Sequence, residues 1–560
     1  MTTPGTTATP DPATPDPDSA GGTGAPLLRL RDLRVRYPSG HEAVRGVDLT
    51  LDAGDTLGLA GESGCGKSTL AMSVLRLLPT GTEVDGQVLL DGEDTRTMSW
   101  GRLRAVRWAG ASVVFQGAMH ALNPVHRIGD QIAEPLLVHS PRTTPAQARA
   151  RVRELLAQVE LPADRAQAYP HQLSGGQKQR VMIAMALACD PRLIIADEPT
   201  TALDVIVQAQ VLDLLTRLVR DRGIGLLLIS HDLAVLGATC RRLAVMRDGV
   251  VVEEGDARTL VTTPTHPYTR ALAAAFPTIG DPASRYAPAT TGEAPPPGTD
   301  AIGPTLLSVR DLRVTFGRTT AVDGVDLDVR AGEVVALVGQ SGSGKTTLAR
   351  TVLGLQAPDS GQVLFDGAPV PTRAKALKAH RRQVQLVLQD PTSALNPRHT
   401  VQEAVAEGLR IHRVPGDEAD LVRAALHDAE LRPAERYLTA LPHELSGGQR
   451  QRVVIAGALA LAPRLLVADE PVASLDASVR GEVLALLLRL RARLGLAALV
   501  ITHDLGLAWN IADRVAVMHQ GRVVETGPVE QVLTDPAHDY TRALLAAVPD
   551  PTTPTGEHHR

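Results

Sequence analysis

Gly61-Glu62-Ser63-Gly64-Cys65-Gly66-Lys67-Ser68-Thr69 is the stretch that decides how this chain folds. It follows an apolar run at 57–60, typical of a short buried strand, and precedes residues 70–78, which predict a helix. The pattern GxxxxGK[ST] between a strand and a helix lets backbone N–H groups wrap a phosphate chain, and the helix N-terminus adds positive partial charge there. Lys67 suits the β- and γ-phosphates of a nucleotide, and the Ser68 hydroxyl suits Mg²⁺. The stretch therefore predicts a nucleotide phosphate site.

The same pattern occurs a second time in the chain. Gly339-Gln340-Ser341-Gly342-Ser343-Gly344-Lys345-Thr346-Thr347 again follows an apolar run, at 334–338. Other features recur at an offset of 272 residues, namely Ser174 as Ser446, Asp197 as Asp469, His231 as His503 and His266 as His538. Solenoid repeats have far shorter periods, so this is the duplication of a whole domain.

Composition narrows the class of protein. The chain has 560 residues, 44% hydrophobic content and a net charge of −5, which allows several packed domains. No large basic block is present, so nothing indicates a nucleic-acid surface. The three cysteines show neither metal nor disulfide spacing, which fits a reducing, cytosolic setting. No apolar run approaches the roughly 18 residues of a membrane-spanning helix, and the N-terminus lacks a signal-peptide layout. Work at a membrane would therefore go through a partner.

Patterning along the chain indicates the domain organisation. Residues 28–35 and 44–51 alternate apolar and polar, which predicts an antiparallel ribbon ahead of the first glycine-rich stretch. Residues 280–304 are rich in Pro, Thr, Ala and Gly, as flexible linkers are. We expect a disordered tail at 1–26, a first domain at 27–280, a linker at 281–304, a second domain at 305–549 and a disordered tail at 550–560.

A serine- and glycine-rich turn and two buried strands carry further chemistry. Leu173-Ser174-Gly175-Gly176-Gln177 leads directly into a helix, which makes a second anion-binding helix end. The apolar run 193–196 ends in Asp197-Glu198, and acidic residues at the tip of a buried strand are costly unless they hold a cation or activate water. Asp197 fits Mg²⁺ binding and Glu198 fits polarisation of the attacking water. His231 follows a further buried strand, where contact with a γ-phosphate is the favoured interpretation.

An aromatic residue precedes each glycine-rich stretch at nearly the same distance. Tyr37 lies 24 positions ahead of Gly61, and Phe316 lies 23 ahead of Gly339. An aromatic ring there is suited to stacking on a purine. A single such residue would more often be ordinary packing, but the repeated spacing favours a nucleotide contact.

Together these elements resemble the ATP-binding cassette ATPases over nearly all of residues 27–549. The resemblance implies an α/β fold of two tandem P-loop ATPase domains, each with a mixed sheet core, an antiparallel β subdomain and a helical subdomain, and it implies ATP and Mg²⁺ as cofactors. The catalytic residues it implies are Glu198, Glu470, His231, His503, Gln116 and Gln389. The implied Mg²⁺ ligands are Ser68, Gln116, Asp197, Thr346, Gln389 and Asp469.

The resemblance also implies the nucleotide-binding residues of each half. In the first half these are Tyr37, Gly61, Ser63, Gly64, Cys65, Gly66, Lys67, Ser68, Thr69, Ser174, Gly175, Gly176, Gln177 and Asp204. In the second half they are Phe316, Gly339, Ser341, Gly342, Ser343, Gly344, Lys345, Thr346, Thr347, Ser446, Gly447, Gly448, Gln449 and Asp476.

A head-to-tail arrangement of the two cassettes is a further implication of the resemblance. The phosphate held by Lys67 would be covered by Ser446 and its glycines, and the phosphate held by Lys345 by Ser174 and its glycines. ATP would then join the two halves and hydrolysis would release them. Both halves keep a carboxylate and a histidine, so we expect two competent sites.

A narrower resemblance connects the chain to the oligopeptide, dipeptide and nickel importer ATPases. It rests on Gln389-Asp390-Pro391-Thr392-Ser393-Ala394-Leu395-Asn396-Pro397 and on the tails His266-Pro267-Tyr268-Thr269-Arg270-Ala271-Leu272 and His538-Asp539-Tyr540-Thr541-Arg542-Ala543-Leu544-Leu545. It implies two membrane-spanning permease subunits, an extracytoplasmic solute-binding protein acting indirectly, and a peripheral position on the cytoplasmic face of the membrane. The first half departs from this pattern, with Gly117-Ala118 where the second has Asp390-Pro391. Cys240 is the last cysteine, which excludes an iron–sulfur cluster after either tail.

Two other functions remain to be weighed. A soluble twin-cassette factor acting on ribosomes would need a long, charged, helical linker, whereas this linker is short, proline-rich and free of lysine. A DNA-repair or chromosome ATPase would need zinc-site cysteines or coiled-coil insertions inside the cassettes, and neither is present. The importer is therefore favoured, and its cargo stays open among dipeptides, longer peptides, glutathione-like thiols, nickel complexes and metallophores.

Overall fold

The computed structural model describes residues 25–115, 117, 121–140, 142–201, 203–286, 302–473 and 475–550. Gln116, for which the family resemblance implies a catalytic and metal-binding role, lies outside the described residues. Also outside the described residues are most of the two predicted disordered chain termini (residues 1–24 and 551–560) and most of the predicted linker (residues 287–301).

The first copy contains ten described strands and nine described α-helices. The strands are β1 (Leu28–Arg36), β2 (Glu42–Leu51), β3 (Thr56–Ala60), β4 (Glu83–Leu90), β5 (Glu93–Asp94), β6 (Ala111–Val114), β7 (Leu193–Asp197), β8 (Gly225–Ile229), β9 (Arg242–Arg247) and β10 (Val250–Asp256). The helices are α1 (Lys67–Val74), α2 (Trp100–Val106), α3 (Ile128–His139), α4 (Pro145–Gln158), α5 (Gly175–Ala186), α6 (Val205–Arg222), α7 (Leu233–Thr239), α8 (Ala257–Thr262) and α9 (Pro267–Ala274).

The described elements of the second copy follow the same order and include a short helix, α12 (Pro391–Ala394), at a place where most of the corresponding residues of the first copy lie outside the described ones. Its strands are β11 (Thr305–Phe316), β12 (Thr319–Arg330), β13 (Val334–Val338), β14 (Ser360–Phe365), β15 (Ala368–Pro369), β16 (Val384–Val387), β17 (Leu465–Asp469), β18 (Ala497–Thr502), β19 (Arg514–His519) and β20 (Arg522–Pro528). Its helices are α10 (Lys345–Val352), α11 (Ala374–Gln383), α12 (Pro391–Ala394), α13 (Val401–His412), α14 (Glu418–Asp428), α15 (Gly447–Leu459), α16 (Ala477–Leu494), α17 (Leu505–Ile511), α18 (Val529–Thr534) and α19 (Asp539–Ala546).

Each copy is built from two sheets and a group of helices, which confirms the predicted α/β fold class. A four-stranded antiparallel sheet has the order β2-β1-β4-β5 in the first copy and β12-β11-β14-β15 in the second. A six-stranded mixed sheet has the order β10-β9-β3-β8-β7-β6 in the first and β16-β17-β18-β13-β19-β20 in the second. Helices α3 to α5 and α13 to α15 pack among themselves as the helical part of each cassette.

The mixed sheets explain both the apolar runs and the position of the site. β3, β7 and β8 pair in parallel, and every residue of β7 and β8 is buried, as expected of strands covered on both faces. In the order β3-β8-β7 the glycine-rich loop follows β3, His231 follows β8 and Asp197 ends β7, so all three lie at the ends of adjacent strands. Carboxyl ends of parallel strands share one sheet edge, where ligands of open α/β sheets bind.

The segment that follows helix α9 lies on the second cassette. The Trp509 indole nitrogen donates to the Asp281 carbonyl at 3.1 Å, the Tyr286 amide donates to the Asn510 carbonyl at 3.2 Å, and Arg285 donates to the Ala512 carbonyl at 2.8 Å. Trp509 is among the largest fully buried side chains of the chain. The first part of the predicted linker therefore packs against the second copy.

Among the described helices, none combines the length and apolar character that a bilayer crossing requires.

Candidate functional site

The two glycine-rich loops have closely matching geometry. The Lys67 ammonium donates to the carbonyls of Gly61 and Glu62 at 2.7 and 2.8 Å. The Lys345 ammonium donates to the corresponding carbonyls of the second loop, those of residues 339 and 340, at 2.7 and 2.6 Å. Each lysine is buried and is the first residue of the helix that follows its loop. The ammonium groups are thus held inside the loops, beside the free N–H groups of a helix N-terminus.

Backbone contacts make glycine obligatory at the two ends of each loop. Gly61 has φ 147° and Gly66 has φ 105°, both in the region that favours glycine. A Cβ on Gly61 would lie 2.2 Å from the Met246 carbonyl oxygen, and one on Gly66 would lie 2.2 Å from the Ala43 carbonyl oxygen. The second loop repeats both clashes at 2.1 and 2.2 Å. The loops therefore wrap closely against their own sheets.

A hydroxyl and a carboxylate meet beside each loop. The Ser68 hydroxyl donates to Asp197 Oδ1 at 3.1 Å, and the Thr346 hydroxyl donates to Asp469 Oδ2 at 3.2 Å. Burial raises the pKa of both aspartates, so a nearby cation would stabilise their charged form. Oxygen donors of this kind suit Mg²⁺, which takes one or two protein oxygens and completes its shell with phosphate oxygens and water. The residues therefore fit the predicted metal.

In each copy a glutamate is paired with a histidine from the neighbouring strand. Glu198 follows β7 and His231 comes after β8, while Glu470 follows β17 and His503 follows β18. His231 Nδ1 lies 3.2 Å from Glu198 Oε1, and His503 Nδ1 lies 2.8 Å from Glu470 Oε1. Burial alone would raise the pKa of both glutamates, but the hydrogen bond that each accepts from its histidine lowers it. Each glutamate is therefore a carboxylate at neutral pH, available as a proton acceptor.

Backbone strain occurs at the same two glutamates. Glu198 has φ 44° and Glu470 has φ 49°, left-handed conformations that are uncommon for residues other than glycine. Such conformations cost on the order of 1–3 kcal/mol and cluster at functional sites. Their occurrence in both copies supports a chemical role for these side chains.

The two loops that follow β6 and β16 differ. In the second copy Gln389 donates to Glu470 Oε2 at 2.8 Å, and Asp390 accepts from the Thr392 amide at 2.8 Å as the N-cap of helix α12. In the first copy Gly117 has φ 75°, and its neighbours Gln116 and Ala118 lie outside the described residues. Where the second copy has an aspartate that caps α12, the first copy thus has a glycine with a left-handed backbone conformation.

The serine- and glycine-rich turns are helix N-termini, as the sequence predicts. Ser174 accepts from the Gln177 amide at 3.3 Å and caps α5, and Ser446 caps α15 through Gln449 in the same way. A Cβ on Gly176 would lie 2.3 Å from a methyl carbon of Val207, and one on Gly448 would meet Val479 at 2.4 Å. The second glycine of each turn is therefore needed for packing against the helix that follows Asp204 or Asp476.

Each cassette contributes an aspartate to the loop of the other. Asp476 Oδ1 accepts from the Ser63 amide at 2.8 Å, and Asp204 Oδ2 accepts from the Ser341 amide at 3.3 Å. The two cassettes therefore face each other at both loops. The pairing of Ser446 with Lys67 and of Ser174 with Lys345 remains a prediction.

The two aromatic residues occupy different surroundings. The hydroxyls of Tyr37 and Thr69 lie 2.9 Å apart, so the ring is tethered to the first glycine-rich stretch. Phe316 ends β11 with 51% of its surface exposed. An exposed ring at that place is accessible to a planar ligand, and stacking on a purine stays a prediction for both residues.

The sequence analysis did not predict the site contacts of two kinds of residue. Arg480, one turn into α16, lies 3.2 Å from His231 Nε2 in the opposite cassette. The tail tyrosines accept hydrogen bonds from the glycine-rich loops, Tyr268 from the Glu62 amide at 3.1 Å and Tyr540 from the Gln340 amide at 3.0 Å. The signal for the tyrosines was their retention at the 272-residue offset; the signal for Arg480 was the break in the repeat, since Gln208 stands at the corresponding position.

Fold and paired sites together define a twin-cassette P-loop ATPase. The chain belongs to the ABC transporter family, whose sequence model matches residues 44–201 and 322–473. A second family, described as the C-terminal region of oligopeptide/dipeptide transporters, matches residues 252–303 and 524–560 and so includes both tails. The chain is thus an ATP-binding subunit of an ABC transporter complex, and its ATPase activity is coupled to transport. This confirms the superfamily and the enzyme class that the motifs predict.

Two relatives match this chain over most of its length, and a solved structure matches a smaller part of it. The peptidoglycan transport ATP-binding protein YejF of Agrobacterium fabrum is 44% identical over 93% of this chain and 96% of its own length. The glutathione import ATP-binding protein GsiA of Salmonella choleraesuis is 42% identical over 91% of this chain and 86% of its own length. The solved structure of cbiO1 from Clostridium perfringens, part of the cbiONQ complex, is 32% identical, covers 41% of this chain and 92% of that one, and has a TM-score of 0.39.

Proposed function

We propose that this chain energises the import of peptides or related small solutes, nickel and metallophore complexes included, by hydrolysing Mg·ATP at two composite sites between its cassettes. The observation that carries the proposal is the reciprocal contact of Asp476 with the Ser63 amide and of Asp204 with the Ser341 amide, at 2.8 and 3.3 Å. Each loop thereby has the opposite cassette at its rim, where a bound triphosphate would join the two halves.

The loops and lysines account for nucleotide binding. The amides at the start of α1 and α10 would bind the β-phosphate, and Lys67 and Lys345 would move from loop carbonyls to the β- and γ-phosphates. Tyr37 and Phe316 would stack on the bases. The serine and glycines at the N-termini of α5 and α15 would cover the γ-phosphate from the opposite cassette.

The paired carboxylates and histidines account for hydrolysis. Glu198 and Glu470 would accept the proton of the attacking water, because their lowered pKa values keep them ionised. His231 and His503 orient these carboxylates through their Nδ1 contacts. Ser68, Thr346, Asp197 and Asp469, with Gln116 and Gln389, would hold Mg²⁺. Bound there, the metal would neutralise charge on the phosphate oxygens.

Partners and cargo follow from the tails and from the relatives. Both tails match the oligopeptide/dipeptide transporter region, and relatives are described as peptidoglycan and glutathione transport proteins. We infer two membrane-spanning permease subunits, an extracytoplasmic binding protein that delivers the solute, and a peripheral position at the cytoplasmic face of the membrane. Closure of the cassettes on ATP would drive the permease.

Substitution of both glutamates tests the catalytic part of the proposal. Glu198→Gln with Glu470→Gln preserves shape and hydrogen bonding but removes the proton acceptors, so ATP binding is expected to persist and turnover to fall by at least about 100-fold. Glu93→Gln with Glu418→Gln, which changes exposed ion pairs with Arg102 and Arg410, is the matched control and is expected to leave turnover intact. Sustained hydrolysis by the first variant would contradict the assigned roles.

Uptake assays test the cargo. Cells lacking this chain, complemented with the wild type or the double glutamine variant, are expected to accumulate a labelled dipeptide, glutathione or a nickel complex only with the wild type. The solute whose uptake is restored identifies the cargo class. Restoration by the inactive variant would contradict coupling to ATP hydrolysis.

A further inference from the structure

The tail helices α9 and α19 reach the glycine-rich loops of their own cassettes. The Tyr268 hydroxyl accepts from the Glu62 amide at 3.1 Å, and the Tyr540 hydroxyl accepts from the Gln340 amide at 3.0 Å. The next amide along each loop, that of Ser63 or Ser341, donates to an aspartate of the opposite cassette. Adjacent loop amides are therefore held from two sides, one by the tail and one by the partner cassette.

Each tyrosine also bears on the lysine of its loop. The Glu62 carbonyl accepts from the Lys67 ammonium at 2.8 Å, and the Gln340 carbonyl accepts from the Lys345 ammonium at 2.6 Å. The residue whose amide the tyrosine holds is thus the residue whose carbonyl positions the lysine. Displacing that residue would move the cation that is proposed to bind phosphate.

The tyrosine rings are fixed in place. The Arg247 guanidinium lies 5.0 Å from the centre of the Tyr268 ring, and the His519 ring stacks on Tyr540 with centroids 3.8 Å apart. Burial raises the pKa of Tyr268 to about 12, so its hydroxyl is neutral and keeps its proton across the physiological range. Both features favour a permanent hydrogen-bond partner for the loop.

The tail itself is anchored at its start. Glu253 accepts from the amides of Thr265 and His266 at 2.8 and 3.2 Å, and Glu525 repeats this with the amides of residues 537 and 538 at 2.8 and 3.1 Å. His266 Nδ1 and its counterpart in the second copy cap the tail helices by accepting from the tyrosine amides. Each tail helix also contacts the opposite cassette, α9 against α16 and α19 against α6.

We propose that Tyr268 and Tyr540 are positioning residues. Through them, each tail helix holds residue 62 or 340 of its own glycine-rich loop in place, so that the next amide of the loop can donate to the aspartate of the opposite cassette. The tail motif then serves the ATP sites directly, in both copies. This inference rests on the proposed function of the loops, but its structural core, the restraint of the loop by the tail, stands apart from hydrolysis.

Tyr268→Phe tests the inference because it removes the hydroxyl and keeps the ring. Hydrogen exchange is measured on the nucleotide-free full chain, and the Glu62 amide is expected to exchange about five-fold faster, the loss of one hydrogen bond. The loop at 339–347 is expected to be unchanged, and Tyr540→Phe is expected to give the reverse pattern. Tyr437→Phe, a half-buried tyrosine packed in the helical part of the second cassette, is the matched control.

Steady-state kinetics supply the second readout. The double variant Tyr268→Phe/Tyr540→Phe is expected to raise KM for ATP about five-fold with kcat within about two-fold, since the restraint acts on bound substrate and transition state alike. Unchanged exchange at both loops would overturn the inference, whatever happens to thermal stability. Faster exchange in a protein whose wild type fails to hydrolyse ATP would support the tail restraint and contradict the proposed function instead.

Discussion

Nη2 of Arg480 lies 3.2 Å from Nε2 of His231, so a cation from the second cassette contacts the histidine of the first site. Because a guanidinium only donates, Nε2 accepts and Nδ1 carries the proton toward Glu198. Arg480 is itself held by donation to the Leu475 carbonyl at 2.8 Å. At the corresponding place opposite His503 the sequence has Gln208, so the two sites differ chemically.

Arg480→Gln is expected to slow the first site and spare the second. Single-turnover hydrolysis would be measured in two backgrounds, Glu470→Gln, which leaves the first site active, and Glu198→Gln, which leaves the second. Loss of the charged hydrogen bond is expected to reduce the first rate about ten-fold, with the second within about two-fold. Arg489→Gln, on the same helix but paired with Glu430, is the control. Equal slowing in both backgrounds would show that Arg480 has no site-specific role.

His503, the histidine of the second site, is expected to make the thermal stability of the protein depend on pH. Burial opposes a charged ring, but the hydrogen bond and charge of Glu470 outweigh it and raise the pKa of His503. A raised pKa contributes stability that is fully present below the ordinary value of about 6.5 and is lost as the pH rises through the folded-state value. In nucleotide-free protein with chelator, His503→Gln is therefore expected to lower Tm more at about pH 6 than at about pH 9.

His41→Gln, a change at an exposed histidine, is the control for that experiment and is expected to show no such trend. A deficit for His503→Gln that stays constant or grows with pH would contradict the proposed ion pair.

Alkylation of Cys65 is expected to inactivate the first site slowly. The thiol is buried in the loop, 3.7 Å from the Lys67 ammonium, and burial raises its pKa, so little thiolate is present at neutral pH. Bound ATP is expected to protect against N-ethylmaleimide, and Cys65→Ser is expected to be active and resistant, because Ser343 fills the same position 3.3 Å from Lys345. Inactivation of Cys65→Ser at the wild-type rate would place the reactive thiol elsewhere.

Local sequence pattern was sufficient to predict most of the fold and the site residues that come together within one cassette. The apolar runs before Gly61 and Asp197 predicted buried strands, and β3 and β7 are adjacent to β8 in one sheet. Once these strands are parallel neighbours, Lys67, Ser68, Asp197 and the groups after them share an edge. The turn at Ser174 was predictable for the same reason, since N-capping depends on nearby residues.

Contacts between distant segments could not be predicted from pattern. Arg480 and His231 are 249 residues apart, and Tyr268 and Glu62 are 206 apart. Neither pair has a local signature, because each depends on how a tail or a whole cassette docks. The left-handed backbone at Glu198 could not be predicted for another reason. The surrounding structure imposes this conformation against the residue's own preference.

A structure of the Glu198→Gln/Glu470→Gln variant with Mg·ATP tests the shared sites most directly. We expect the triphosphate held by Lys67 to contact Ser446 and Gly448 of the other cassette, and the one held by Lys345 to contact Ser174 and Gly176. Triphosphates covered by the serine turn of their own cassette, with no contact across the interface, would contradict the account.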